Sequence, residues 1–136
     1  MYKRQVLDVL NPSAAIGINN KERFSFLDRI KDFGPDVTLA LALIHHMSLS
    51  GNVPFEMSAQ FFAAFSKYLI LEFPRRNDSW VVRLLNNKMD FKEHFDFYTI
   101  DAFEEAYANY FELVEKRIIT GSERVIYLLK RKGNAH

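Results

Sequence analysis

Residues 37 to 44, Val-Thr-Leu-Ala-Leu-Ala-Leu-Ile, form an eight-residue run without charge, proline or glycine, set between Asp36 and the pair His45-His46. Continuous rather than alternating hydrophobicity of this length suits a strand covered on both faces, and such strands belong to parallel sheets. The run is therefore expected to be a central strand, and it fixes the class as α/β.

The flanking segments fit that frame. Gln5–Leu10 is a short β-rich run stopped by Asn11-Pro12-Ser13. Lys21–Gly34 spaces Phe24, Leu27 and Ile30 as a short helix and ends on Gly34-Pro35, a stop signal. A second helix begins near Pro54, with Glu56 in its first turn and Lys67 at its end, and carries Phe61, Phe62, Phe65 and Leu69. The strand Tyr-Leu-Ile-Leu-Glu-Phe, 68 to 73, follows at once.

Asp78 or Ser79 can cap a third helix, with Trp80, Val81, Leu84 and Leu85 on its buried side. Residues 88 to 98 show no period and are expected to be irregular. Thr99 caps a fourth helix carrying Ile100, Phe103, Ala106, Tyr107 and Tyr110. Two strands separated by Thr120-Gly121-Ser122 close the chain as an antiparallel hairpin. The whole is expected to be a mostly parallel sheet with helices on both faces and this hairpin at its end.

Composition narrows the function classes. The 136 residues hold 18 Lys and Arg against 17 Asp and Glu, a balance that argues against nucleic acid and membrane surfaces as partners. No cysteine occurs, which removes disulfides and thiolate ligands and suits a cytoplasmic protein. The longest apolar stretch is far short of the roughly 18 residues of a membrane span. The length suits one domain, 1–136.

Four stretches in succession carry a family resemblance: LDVLNPS, IGINNKER, DVTLALALIHHM and LILEFPRRND. They resemble a branch of methyltransferases grouped with nodulation proteins, within the class I S-adenosylmethionine-dependent methyltransferases. The resemblance covers nearly the whole chain and implies the carboxy-terminal half of that Rossmann-like fold, whose strand order is 3-2-1-4-5-7-6. Gln5–Leu10 would be strand 3, residues 37–44 strand 4, 68–73 strand 5, and the hairpin strands 6 and 7. The family binds its cofactor with a glycine-rich loop after strand 1 and an acidic residue ending strand 2. Neither is present: the five glycines, at 17, 34, 51, 121 and 133, are isolated. A partial domain is expected, in which the flank of strand 4 is covered by Gln5–Leu10, by a second copy of the chain, or by an amino-terminal half carried elsewhere.

The resemblance also implies site residues. Asp8 and the amide of Val9 stand where the family holds adenine, although an aspartate before a turn also bonds nearby amides. Leu41 and Ala42 stand where the strand 4 backbone lines the methionine part of S-adenosylmethionine, with side chains read as core. His45 and His46 fall at the carboxyl end of a strand, where open α/β sheets place their clefts. One of them could orient a methyl acceptor or take its proton, or simply bond to backbone beneath a loop. Adjacent residues on an extended strand point to opposite faces, which opposes one shared metal ion. Glu72 ends strand 5 and Arg75 and Arg76 follow in the next loop as candidate substrate groups, with a solvated loop as the plainer reading of the two arginines. The acceptor, small molecule or macromolecule, is not specified by the sequence. The implied function is the substrate-side portion of a methyltransferase, inactive alone; the alternative is a non-catalytic interaction or dimerisation module.

Overall fold

Each helix begins where a side chain can satisfy its first free amides. In the computed structural model, which describes residues 9–21, 24–87 and 95–133, Ser25 Oγ accepts from Asp28 N to start α1 (Phe26–Phe33), and Gly34 ends that helix at φ 61°. That left-handed value is open to glycine at no steric cost. Helix α2 (Phe55–Ala63) follows Pro54, whose missing N–H would be unpaired at that position in any case. Asp78 caps α3 (Ser79–Asn86) through the Trp80 amide, and Thr99 caps α4 (Ile100–Ala108) through the Ala102 amide.

Four strands form one sheet: β1 (Val37–Ala40), β2 (Tyr68–Pro74), β3 (Phe111–Ile118) and β4 (Arg124–Arg131), in the order β1-β2-β4-β3. Val37 pairs with Tyr68 and Ala40 with Leu71 in parallel, because the connection through α2 returns the chain to the same end of the sheet. β4 is antiparallel to both β2 and β3. The described sheet is thus mixed, with one parallel junction and two antiparallel ones. The expected mostly parallel sheet is corrected on this point, because the hairpin supplies half of the strands rather than an added edge.

Alternation along β2 and β4 gives the sheet one buried face, made by Leu69, Leu71, Phe73, Val125, Tyr127 and Leu129. On it lies an aromatic cluster from α2 and α4: Phe103 stacks on Phe73 at 4.6 Å and meets Phe55 edge-on at 5.7 Å. Offset and edge-on ring pairs of this kind add to area burial. Tyr98 stacks on Phe73 from the loop before α4, and its hydroxyl donates to Pro74 O at 2.6 Å. Ser58 Oγ and the Tyr107 hydroxyl share a buried hydrogen bond of 2.7 Å that ties α2 to α4. On the opposite face Val37 and Leu39 are 49% and 63% exposed, so among the described residues helices do not cover that side of β1.

The run at 37–44 departs most from expectation. Its strand ends at Ala40, Leu41 is 51% exposed, and Ala42 sits at φ 54°. The chain then turns into a helical segment from Ile44 that continues as a wide turn, His46–Ser50. β1 has a single ladder partner among the described residues, where partners on both sides were expected. A continuous apolar run is ambiguous between strand and buried helix; here its first four residues are strand and only Ile44 enters the helical segment, with Ala40 and Ile44 as its buried members. Residues 5–8 of the expected strand Gln5–Leu10 lie outside the described residues, and Val9 and Leu10 form a turn. Trp80, expected to be buried, is half exposed, with the Arg83 guanidinium 5.3 Å from its ring. Val81 and Leu85 carry the buried side of α3.

Candidate functional site at the carboxyl ends of β1 and β2

Parallel strands β1 and β2 end at the same side of the sheet, and the segments leaving them converge there. Glu72, near the end of β2, accepts the Ala42 amide on Oε1 at 3.1 Å. This bond holds the left-handed residue at which the chain turns from β1 toward the two histidines. The same oxygen accepts from Arg124 Nη1 at 2.6 Å, and Arg124 Nε donates to Asp78 Oδ2 at 3.0 Å. Asp78 keeps its other oxygen for the Trp80 amide, at 2.9 Å. One guanidinium therefore joins the turn after β1, the end of β2, the start of α3 and the start of β4.

Register explains why Arg124 can do this. It stands opposite Pro74 at the first position of β4, while Glu72 stands opposite Ile126, so Glu72 and Arg124 are diagonal neighbours on one face, within reach of long side chains. The pairs are largely shielded, with Arg124, Glu72 and Asp78 side chains 20%, 14% and 9% exposed. Burial pushes the Asp78 carboxyl up, but its bonds from Arg124 and the α3 amides outweigh this and hold it below the usual aspartate value. The carboxylates are the charge-compensated, hydrogen-bonded kind that a protein interior tolerates.

His45 lies beneath this network, 1% exposed, and its Nδ1 has no hydrogen-bond partner among the described residues. Burial, aided by His46 and by Arg124 and opposed by Asp78, lowers its pKa to about 4. His45 is then a neutral imidazole at working pH. His46 is exposed, and the two rings lie 4.2 Å apart. The pair stands on a helical turn rather than on a strand, which corrects the expectation that the rings point to opposite faces. Among the described residues no three His, Cys, Asp or Glu side chains gather as a metal site.

The remaining candidates are placed as follows. Asp8 lies outside the described residues. Val9 lines an apolar groove of about 350 Å³ beside β1, with Phe26, Ile30, Val37, Leu39 and Phe62. Leu41 and Ala42 adjoin the His45 turn, but both are exposed rather than core, because the strand has already ended. Glu72 is in the cluster. Arg75 instead donates to the Ser122 and Glu123 carbonyls and pairs with the Glu123 carboxylate at 3.3 Å. Arg76 donates to the Phe95 and Tyr98 carbonyls. Both arginines line an open pocket of about 300 Å³ with Asn77, Tyr98 and Thr99. Sequence reading missed Arg124 altogether, since only the β2–β4 register reveals it, and it treated Asp78 as a helix cap alone.

The chain resembles a protein named for nodulation. It is 34% identical over 125 residues to Nodulation protein NoeA of Rhizobium meliloti (strain 1021), an alignment that takes in 92% of this chain and 25% of that protein. The chain thus spans about a quarter of the length of the relative it matches. No protein family matches it, and no solved structure matches it. No helix among the described residues is long and apolar enough to cross a membrane.

Proposed function

We propose that this chain is the substrate-side portion of an S-adenosylmethionine-dependent methyltransferase, with the cofactor's glycine-rich loop supplied from elsewhere in the protein. The observation that carries the reading is the strand order. If β1, β2, β3 and β4 are strands 4, 5, 6 and 7 of the class I fold, the order β1-β2-β4-β3 reads 4-5-7-6, with strand 7 antiparallel to both neighbours. The similarity to a nodulation protein agrees with the branch that the four sequence stretches resemble.

On this reading S-adenosylmethionine brings a methyl group on a sulfonium that is already a good leaving group, so the protein's work is positioning. The adenine would lie near Val9 and Asp8, and the Leu41-Ala42 backbone would border the cofactor's amino-acid end. The exposed His46 and the neutral His45 stand at the carboxyl end of β1, where one imidazole can accept a proton or a hydrogen bond from an acceptor hydroxyl or amine. Arg75 and Arg76 would offer their remaining donors to a polar or anionic acceptor at the neighbouring pocket.

Calorimetry tests the reading. Without the glycine loop the chain should bind S-adenosylmethionine no more tightly than about 1 mM, near 4 kcal/mol of binding free energy. A micromolar constant would contradict the assignment of the main cofactor contacts to another part of the protein. A second reading, a non-catalytic interaction module, rests on a separate observation: β1 is uncharged, has one ladder partner among the described residues, and exposes Val37 and Leu39. Such an edge is a template for pairing with further polypeptide.

A further inference from the structure

We infer that Arg124 is the positioning residue of the candidate site: by bridging Glu72 and Asp78 it fixes the turn that carries His45 and so sets where that imidazole stands. The inference rests on the methyl-transfer reading for what the imidazole is used for. Its physical content stands on geometry.

Two routes run from Arg124 to His45. The first passes through Glu72, whose Oε1 takes both Arg124 Nη1 at 2.6 Å and the Ala42 amide at 3.1 Å. Ala42 holds φ 54°, a conformation that costs a residue with a Cβ and persists where the surroundings enforce it. A carboxylate held by a guanidinium supplies that enforcement, and His45 follows three residues later. The second route passes through Asp78, which takes Arg124 Nε on one oxygen and the Trp80 amide on the other. It fixes the start of α3, the helix that packs against the His46–Ser50 turn.

Electrostatics points the same way. The charged or titratable groups acting on His45 are His46 on its own turn, Arg124 from β4 and Asp78 at the start of α3. With Arg124 present, the two carboxylates are neutralised and a cation opposes protonation of the ring. Without it, the Asp78 carboxylate would face the imidazole with no countercharge and pull the His45 pKa up, against the burial that is the largest cause of its lowering. Glu72 would also lose the partner that orients it toward Ala42. Lysine cannot replace the fork, because one ammonium cannot reproduce Nη1 and Nε donating in fixed directions to two carboxylates.

Histidine ring resonances of the intact chain, followed by NMR between pH 4 and 8, test this together with the Ala42 and Trp80 amides. In the wild type, His45 should remain neutral to below about pH 5. In Arg124→Gln the His45 midpoint should rise, and the Ala42 amide should move. Arg124→Lys should give a smaller rise, and it is read in place of the glutamine variant if that variant does not fold. A role confined to stability would lower the melting temperature and leave the midpoint where it was. The inference is overturned if the His45 midpoint is the same in wild type and both variants, or if the Ala42 amide stays in place in both. Either result leaves the methyl-transfer reading standing, which fails instead if cofactor analogues do not touch this side of the sheet.

Discussion

The two edges of the sheet manage the same problem in opposite ways. β3 exposes Leu113, Val114 and Ile118, but it also carries Glu112, Glu115, Lys116 and Arg117 and breaks its register between Leu113 and Glu115. Charges and a bulge are how natural edges avoid adding a further strand. Lys116 is drawn back onto α4 by Glu104 at 2.8 Å. β1 has none of these devices: its four residues are Val, Thr, Leu and Ala, and a groove of apolar side chains runs beside it. One edge is finished, and the other has the character of a junction. The candidate site lies at the carboxyl end of β1, the strand whose edge is bare among the described residues.

The largest effect tests whether both edges depend on the same centre. Phe73→Ala removes a fully buried ring that stacks on Tyr98 and Phe103, and should cost about 3–5 kcal/mol. Denaturant unfolding measures the loss, and hydrogen exchange should show β1 and β3 losing protection together; persistence of either alone would break the comparison.

Acid should act on the β1 side first. The His45 pKa is lowered to about 4 in the folded chain, so between pH 6.5 and 4 the unfolded state binds the extra proton. Stability then falls as pH drops through that window, by roughly 3 kcal/mol at most. Asp78, with its pKa lowered, contributes stability above the ordinary aspartate value that disappears at still lower pH. Thermal melts across pH 4 to 7 measure the slope, and His45→Gln should flatten it between pH 6.5 and 4.

Self-association sharpens the contrast between the edges. Leu39→Lys should weaken any association of the isolated chain at least about tenfold, or about 1.4 kcal/mol. Replacing Glu115, Lys116 and Arg117 by glutamine should strengthen it. Sedimentation velocity reads both, and equal responses would erase the distinction. The smallest effect is Leu41→Lys, at a position 51% exposed, which should change stability by less than about 0.5 kcal/mol. From sequence alone the same change would be expected to bury a charge and ruin the fold.

That reversal shows what the sequence carries. Asp78 and Thr99 located α3 and α4, because each acts on amides two or three positions away, while apolar spacing with Gly34-Pro35 and Pro54 located α1 and α2. The hairpin was legible from its turn, and β2 from its β-rich run. The strand at 37–40 was overextended because an uncharged run does not say where a strand yields to a helical turn; Glu72, 30 residues away from Ala42, supplies the bond that marks the place. Of the candidate site, the histidines and Glu72 stood out in the sequence at the ends of apolar runs. Arg124 did not, since its partners are 46 and 52 positions distant, and only pairing of β4 with β2 brings them together.

The most direct measurement is a map of amide shifts on adding S-adenosylhomocysteine to the isolated chain at millimolar concentration. Shifts concentrated at Val9, Leu41, Ala42, the His45-His46 turn and Glu72 are the result expected of a substrate-side methyltransferase portion. Shifts confined to α4 and the β3–β4 hairpin would contradict it.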